Sequence, residues 1–237
     1  MIKKLLKTLI HPKYQFKLVS LKHSFTHFRQ TYYSQNGEDI MLRSLFAPDH
    51  RGFYVDVGAH HPYRISNTYL LFKRGWHGIN IDPNPDTIAL FKKARPHDTN
   101  VQLGVSKTAG TLTYHQFADP AVNTFSDTEA EHWKKKTWNQ YLGTTTVETK
   151  PLKNILSEHA PPNQTIDMLS VDVEGLDLEV LQSNDWNQFK PTVVVVEAHD
   201  FEIEHMQDHP LYQYLHGQGY SLKFVVKFSL IFVLKTG

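Results

Sequence analysis

The chain has 237 residues, 40% of them hydrophobic and 21% charged, with a formal net charge of +1 and no cysteine. This fits one substantial core in a soluble globular protein. It excludes a global field for nucleic acid, a disulfide framework, thiolate zinc sites and cysteine nucleophiles. A chain without cysteine suits a reducing compartment, so a cytoplasmic location is expected. The fifteen histidines are scattered, and none stands in a His-Glu-x-x-His spacing.

Residues 1–31 form a basic N-terminal segment, expected to be a helical extension. Lys3, Lys4, Lys7, Lys13, Lys17 and Lys22 interleave with Leu5, Leu6, Leu9, Ile10, Phe16 and Leu18. Pro12 breaks the segment in two. It has neither a long apolar run nor a small-residue cleavage site, so it is not read as a signal peptide. Two readings stand: a solvated helix packed on the domain, or weak peripheral attachment to an anionic membrane surface at the inner face. The other strongly apolar run, Leu222 to Leu234, holds Lys223 and Lys227 and is too short and too charged to span a bilayer.

Residues 32–237 read as one domain. Ser34-Gln35-Asn36-Gly37 is a turn, and Glu38 and Asp39 open a helix stopped by Pro48. The two acids are helix caps or part of a polar lid over a ligand. Phe53 to Val57 is a buried strand ending at Gly58. Asp56 within it needs partners, because an unpaired buried charge is costly. A helix is expected over 66–74, ended by Gly75. A second strand, His77 to Ile81, ends in Asp82-Pro83-Asn84-Pro85. A carboxylate there can accept two ribose hydroxyls. Asn84 and Pro85 suit the N-cap and first turn of the next helix. Only Gly58 stands in the first turn, so the G-x-G-x-x-G fingerprint is absent and a pyrophosphate has little to sit on. A nucleoside without phosphates, such as S-adenosylmethionine, fits better.

A third strand over 100–105 brings Gly104 to its tip, where an adenine could lie against backbone. Residues 111–117 alternate like an exposed strand. The less regular 118–149 reads as an insertion that grips substrate, or whose Trp133 and Trp138 are core. The fourth strand, Ile166 to Val171, runs into Asp172-Val173-Glu174-Gly175. In extended geometry the two acids face the same way. They can supply a base, hold a divalent cation or grip polar substrate groups. The fifth strand, Pro191 to Glu197, ends in Glu197-Ala198-His199-Asp200. Two further strands, 220–226 and 228–234, follow without a helix between them. The expected fold is therefore α/β: a doubly wound, mostly parallel sheet with an antiparallel last strand. Its polar groups gather at the C-terminal tips of the strands, where such sheets bind ligands.

Four motifs then carry a resemblance: Tyr33-Ser34-Gln35-Asn36-Gly37-Glu38-Asp39, Val55-Asp56-Val57-Gly58-Ala59-His60-His61-Pro62, Asn80-Ile81-Asp82-Pro83-Asn84-Pro85 and Val171-Asp172-Val173-Glu174-Gly175. Together they resemble the FkbM family of S-adenosylmethionine-dependent methyltransferases. The resemblance implies a class I methyltransferase (Rossmann-like) sheet, S-adenosylmethionine as cofactor, and O-methylation of a sugar or glycan hydroxyl. It implies that Asp56, Gly58 and Ala59 lie in the cofactor's glycine loop and that Asp82, with Pro83, meets the ribose. It implies that Glu38 and Asp39 help close the site. Asp172 and Glu174 would face the methyl and the acceptor, and no role transfers to His60 or His61. By location, Asp172, Glu174, His199 and His61 are the candidate bases. No metal is assigned; a divalent cation on Asp172, Glu174 and His199 is the alternative. A non-catalytic nucleoside-binding module is the alternative to the enzyme. The acceptor and the oligomeric state are left open.

Overall fold

Short apolar runs rich in β-branched residues become buried strands, and the turn residues between them fix where each ends. The computed structural model describes Tyr14 and residues 31–235. Its elements are α1 (Glu38–Ser44), β1 (Phe53–Val57), α2 (Tyr69–Phe72), β2 (His77–Ile81), α3 (Pro85–Ala94), β3 (Thr99–Val101), β4 (Gly104–Val105), β5 (Gly110–Phe117), α4 (Asp127–Lys134), β6 (Tyr141–Lys150), α5 (Leu152–His159), β7 (Met168–Val171), α6 (Asp177–Gln182), β8 (Val193–Glu197), α7 (Pro210–Gly217), β9 (Tyr220–Val226) and β10 (Ser229–Leu234).

The main sheet has seven strands in the order β3-β2-β1-β7-β8-β10-β9. The β1, β2, β3, β7 and β8 pairings are parallel, while β10 runs antiparallel to both neighbours. This is the expected class I methyltransferase sheet. The antiparallel last strand is inserted inside the sheet rather than added at its edge. One face packs Val55, Val57, Ile79, Leu169 and Val194 against the larger core; the other packs Tyr54, Met168, Val193 and Val195 against Leu42, Leu71 and Trp76.

Several expected boundaries move. The helix over 66–74 shrinks to the single turn of α2. The third strand divides: β3 completes the main sheet, while β4 pairs with β6 in a second sheet of order β4-β6-β5. Helix α5 has no counterpart in the sequence reading, although Leu152, Ile155 and Leu156 are buried at helical spacing. Asn84 does cap α3, its side chain accepting from the Asp86 N–H, with Pro85 following. The chain divides into compact units at Thr31 and Tyr32. The helical extension expected over 1–31, with its membrane contact, lies outside the described residues apart from Tyr14 and Thr31. Among the described residues no helix is long and apolar enough to cross a membrane.

One polar network lies under the sheet. Arg95, at the end of α3, is fully buried. Its guanidinium donates to Thr68 Oγ1 at 2.9 Å, to the Tyr54 hydroxyl at 3.1 Å and to the Pro62 carbonyl at 2.6 Å. It lies 5.0–5.1 Å from the Phe91 and Phe72 ring centres. Thr68 in turn donates to Asp56 at 2.7 Å. Asp98 accepts from Tyr54, from the Gly78 N–H and from Asn80. The cation thus ties β1, β2, α3 and the turn after β1 together. Removing one member of a buried charged network costs about 3–5 kcal/mol, because the others stay buried and unpaired. Arg95→Ala should lower the unfolding free energy by about that much in urea denaturation. A loss under about 1 kcal/mol would show that the network does not hold these elements.

Candidate active site

Three strands, β1, β2 and β7, end level with one another, and β8 runs one residue further. Val57 pairs with Ile81 and with Val171, and Val171 pairs with Val196. The next residues are Gly58, Asp82, Asp172 and Glu197. Chain order reverses between β1 and β7, so a crevice opens there at the C-terminal edge. Gly58 has φ +77°, and a Cβ built on it would lie 1.7 Å from the Asp172 carbonyl oxygen. No other residue type fits that crossing. Beside it lies a narrow cleft, lined by Gly58, His60, Asp82, Pro83, Asp172 and Glu174, with Tyr114 and Phe125 reaching in from the second sheet and the insertion.

Asp82 is buried at the cleft wall. One of its oxygens accepts the His60 N–H at 3.0 Å and the other the Asn84 N–H at 2.8 Å. Burial, outweighing these bonds, pushes its carboxyl up to about 6. His60 stands in the left-handed region at φ 51°. Its Nε2 is buried without a hydrogen-bond partner among the described residues, and burial lowers its pKa.

Other expected site residues sit elsewhere. Asp56 does not line the cleft; it faces the Arg95 network, and burial raises its pKa against the Thr68 hydrogen bond. Ala59 is buried and donates its N–H to the Ile81 carbonyl. His61 is a turn cap, its Nδ1 accepting the Tyr63 and Arg64 N–H groups at 3.1 and 3.3 Å. That spends one ring nitrogen away from the cleft. Gly104 stands back from the cleft; its missing side chain leaves room for Phe125, whose ring would be 2.6 Å from a Cβ there. Glu38 and Asp39 brace their own loop. Asp39 accepts from the Tyr33 N–H and the Ser34 hydroxyl, both at 2.8 Å. Glu38 accepts from the Asn36 N–H and from the Ser229 hydroxyl. Ser229 is level with Glu197 across the sheet. Glu38 therefore ties the N-terminal motif to the edge beside the site.

The acids after β7 do not lie on extended backbone. Glu174 has φ 54° and Gly175 φ 98°, so the same-side argument from strand geometry fails. They are brought together by a tight turn instead, which Asp177 holds by accepting the Val173 and Gly175 N–H groups, each at 3.3 Å. Burial first, and neighbouring Glu197 second, drive three carboxyls up: Asp172 well above its ordinary value, Glu174 to about 8 and Asp177 to about 7. His199 is half exposed; its Nε2 lies 3.2 Å from Glu197 Oε2, and that contact raises its pKa. Glu174 also borders a second, open cavity of about 920 Å³ that includes Asp177, Glu197, His199 and Asp200.

Sequence reasoning assigned no site role to Tyr114, Phe125, His60, Asp177 or Glu197. Glu197 was visible as an acid at a strand tip. Tyr114 reaches the cleft through long-range pairing of β5 with β6, and Phe125 through the bridge of its neighbour Thr124 to His115.

The family described as the methyltransferase FkbM domain matches residues 56–222. No curated protein matches. Among solved structures, a methyltransferase FkbM from Methylobacillus flagellatus KT is 11% identical, over 85% of this chain and 48% of its own, at TM-score 0.47. The chain thus spans about half of that protein. A TehB-like SAM-dependent methyltransferase from Corynebacterium glutamicum ATCC 13032 Kitasato is 13% identical over 94% and 97%, at 0.40. An O-methyltransferase from Bacillus cereus, solved in complex with SAH, is 10% identical over 98% and 96%, at 0.41. Likeness at this level carries nothing about residues or activity, and the fold assignment rests on the sheet itself.

The raised carboxyls fix a pH dependence. In the folded chain Glu174 and Asp177 keep protons that the unfolded chain releases near 4.5 and 3.8. The folded state binds more protons across that window, so stability falls as pH rises toward about 8. In chelator-containing buffer the melting temperature should drop between about pH 5.5 and 8.5, and Glu174→Gln should make the drop shallower. A Gln variant whose profile runs parallel to that of the parent would remove Glu174 as a source.

Proposed function

The chain belongs to the FkbM methyltransferase family, and on that footing we propose that it transfers a methyl group from S-adenosylmethionine to a hydroxyl oxygen of a sugar or glycan intermediate. The observation that carries this reading is the row Gly58, Asp82 and Asp172 at the switch point of the sheet. It combines one glycine with two acids and has no run of glycines to cradle phosphates.

The residues present fit a sulfonium nucleoside. The crossing at Gly58 leaves backbone, not side chain, at the cleft floor. Each oxygen of Asp82 has accepted one backbone N–H. A carboxylate has about four lone-pair sites, so two remain for a pair of ribose hydroxyls. The unpartnered His60 Nε2 offers a further polar contact at the same wall. Tyr114 and Phe125, with ring centres 4.8 Å apart, supply an apolar cover that keeps water out.

S-adenosylmethionine supplies a methyl already activated on sulfur, so holding donor and acceptor in line provides much of the acceleration. The chain must still take the hydroxyl proton. Asp172 is the proposed acceptor of that proton: it lines the cleft, and burial, with Glu197 beside it, holds its carboxyl well above its ordinary value, which makes it a stronger base than an exposed carboxylate. His61, committed to the turn, leaves the set of bases, and His199 is engaged by Glu197. Beyond Glu174 the second cavity presents carboxylates and imidazoles. Such a surface suits a polyhydroxylated acceptor better than an apolar one. With no global field for nucleic acid, the partner proposed is a small molecule or glycan in the cytoplasm.

Calorimetric titration tests the donor. S-adenosylmethionine should give a saturable heat and NAD none; no heat with the former overturns the reading. With isotope-labelled methyl donor and a panel of nucleotide sugars and glycan fragments, Asp172→Asn should keep donor binding and lose about 10²–10⁴-fold in turnover. Unchanged turnover removes Asp172 from the chemistry.

A further inference from the structure

We propose that Glu174, Glu197 and His199 form a binding site for one divalent cation of the magnesium–manganese class. One ligand atom from each lies within 4.8 Å of the others. That is the span of two ligands on opposite sides of an ion at about 2.4 Å, so a smaller ion needs only slight side-chain closure. Glu174 comes from the left-handed turn after β7, Glu197 from the last position of β8, and His199 from two residues further on. The set differs from the one expected from sequence: Glu197 takes the place of Asp172.

A second observation points to a ligand independently of the clustering. Glu197 is only 9% exposed, yet its Oε2 is buried without a hydrogen-bond partner. Among the described residues, the neighbours of this carboxylate include the His199 ring, 3.2 Å from Oε2, and the Asp172 carboxyl. A buried carboxylate oxygen left so is costly unless something binds it. Among the described residues, the cavity it faces is lined by Glu129, Glu174, Asp177, Glu197 and Asp200, with His199 and His209 and with no lysine or arginine. Asp200 is already matched to His209 at 3.1 Å. Asp177 is already spent on the Val173 and Gly175 N–H groups.

The donor chemistry selects the ion. Two carboxylates and one imidazole suit manganese, and magnesium to a lesser degree; calcium prefers oxygen alone, and no thiolate is present to favour softer metals. Three protein ligands leave positions open for water or an acceptor oxygen, beside the cleft that Glu174 also borders. That last role rests on the methyl-transfer reading; the ion site itself does not.

The test uses the full chain, stripped by chelator and titrated with Mn²⁺ while the free-ion signal is followed by electron paramagnetic resonance. One ion should bind per chain. Glu197→Gln and His199→Ala should each weaken binding at least about tenfold, and Asp200→Asn, outside the set, should not. His199 is half exposed, so its removal spares the core if Glu197→Gln fails to fold, and thermal melting monitors both. No Mn²⁺ uptake by the parent chain, or uptake indifferent to both substitutions, overturns the proposal. Donor calorimetry on the same samples keeps the readings apart. Donor heat without Mn²⁺ uptake sinks the cation alone, and Mn²⁺ uptake without donor heat sinks the methyl-transfer reading alone.

Discussion

The site depends on one close approach of two backbones. Where the sheet's order reverses, the turn leaving β1 must pass the end of β7, and they meet at Gly58 and the Asp172 carbonyl. A Cβ at 58 would occupy the volume of that oxygen. Because the strands around it run in register, this single contact fixes the positions of Asp82 on one side and Asp172 and Glu197 on the other. The cleft follows from register and from a missing side chain, before any particular ligand is considered.

The crossing needs support from beneath, and Arg95 supplies it. The turn after β1 holds His60, Pro62, Ser66 and Thr68, and the guanidinium donates to the last three. A buried cation is costly alone, but here both terminal nitrogens of the guanidinium meet neutral oxygens, with Asp56 and Asp98 one hydrogen bond away through Thr68 and Tyr54. Arg95 therefore locks the conformation that sends the His60 N–H to Asp82. Asp56 serves the site at one remove: it satisfies the network that shapes the loop.

Legibility in the sequence divides along the same line. Gly58, Asp82 and Asp172 were readable because each is the residue after an apolar run, and the run's own pattern places it at the sheet edge. The sheet's closing antiparallel strand was readable because no crossover helix separates β9 from β10. What failed required register or packing. Arg95 looks in sequence like any cation at a helix C-terminus. Asp56 found Thr68 twelve residues on, and His61 found its own turn. The neighbourhood of Glu174 and Glu197 depends on β7 pairing with β8, and Tyr114 enters the cleft through a second sheet that no local pattern announces.

The acids at the cleft are where the chain departs from what would make it most stable. Asp172, Glu174 and Asp177 are held above their ordinary ranges by burial and by Glu197. Mutual repulsion in a desolvated pocket is a standing cost, and neutral side chains of similar shape would relieve it. The two mechanisms that satisfy such a cluster are protons and cations. Protons would leave the carboxyls neutral at the pH where a hydroxyl must be deprotonated. A cation on Glu174, Glu197 and His199 would satisfy the same charge while leaving Asp172 free to act as a base. Asp172 enters the turn at Val173 and Glu174 lies within it at φ 54°, so one short loop brings the base and the cation ligand to the same edge.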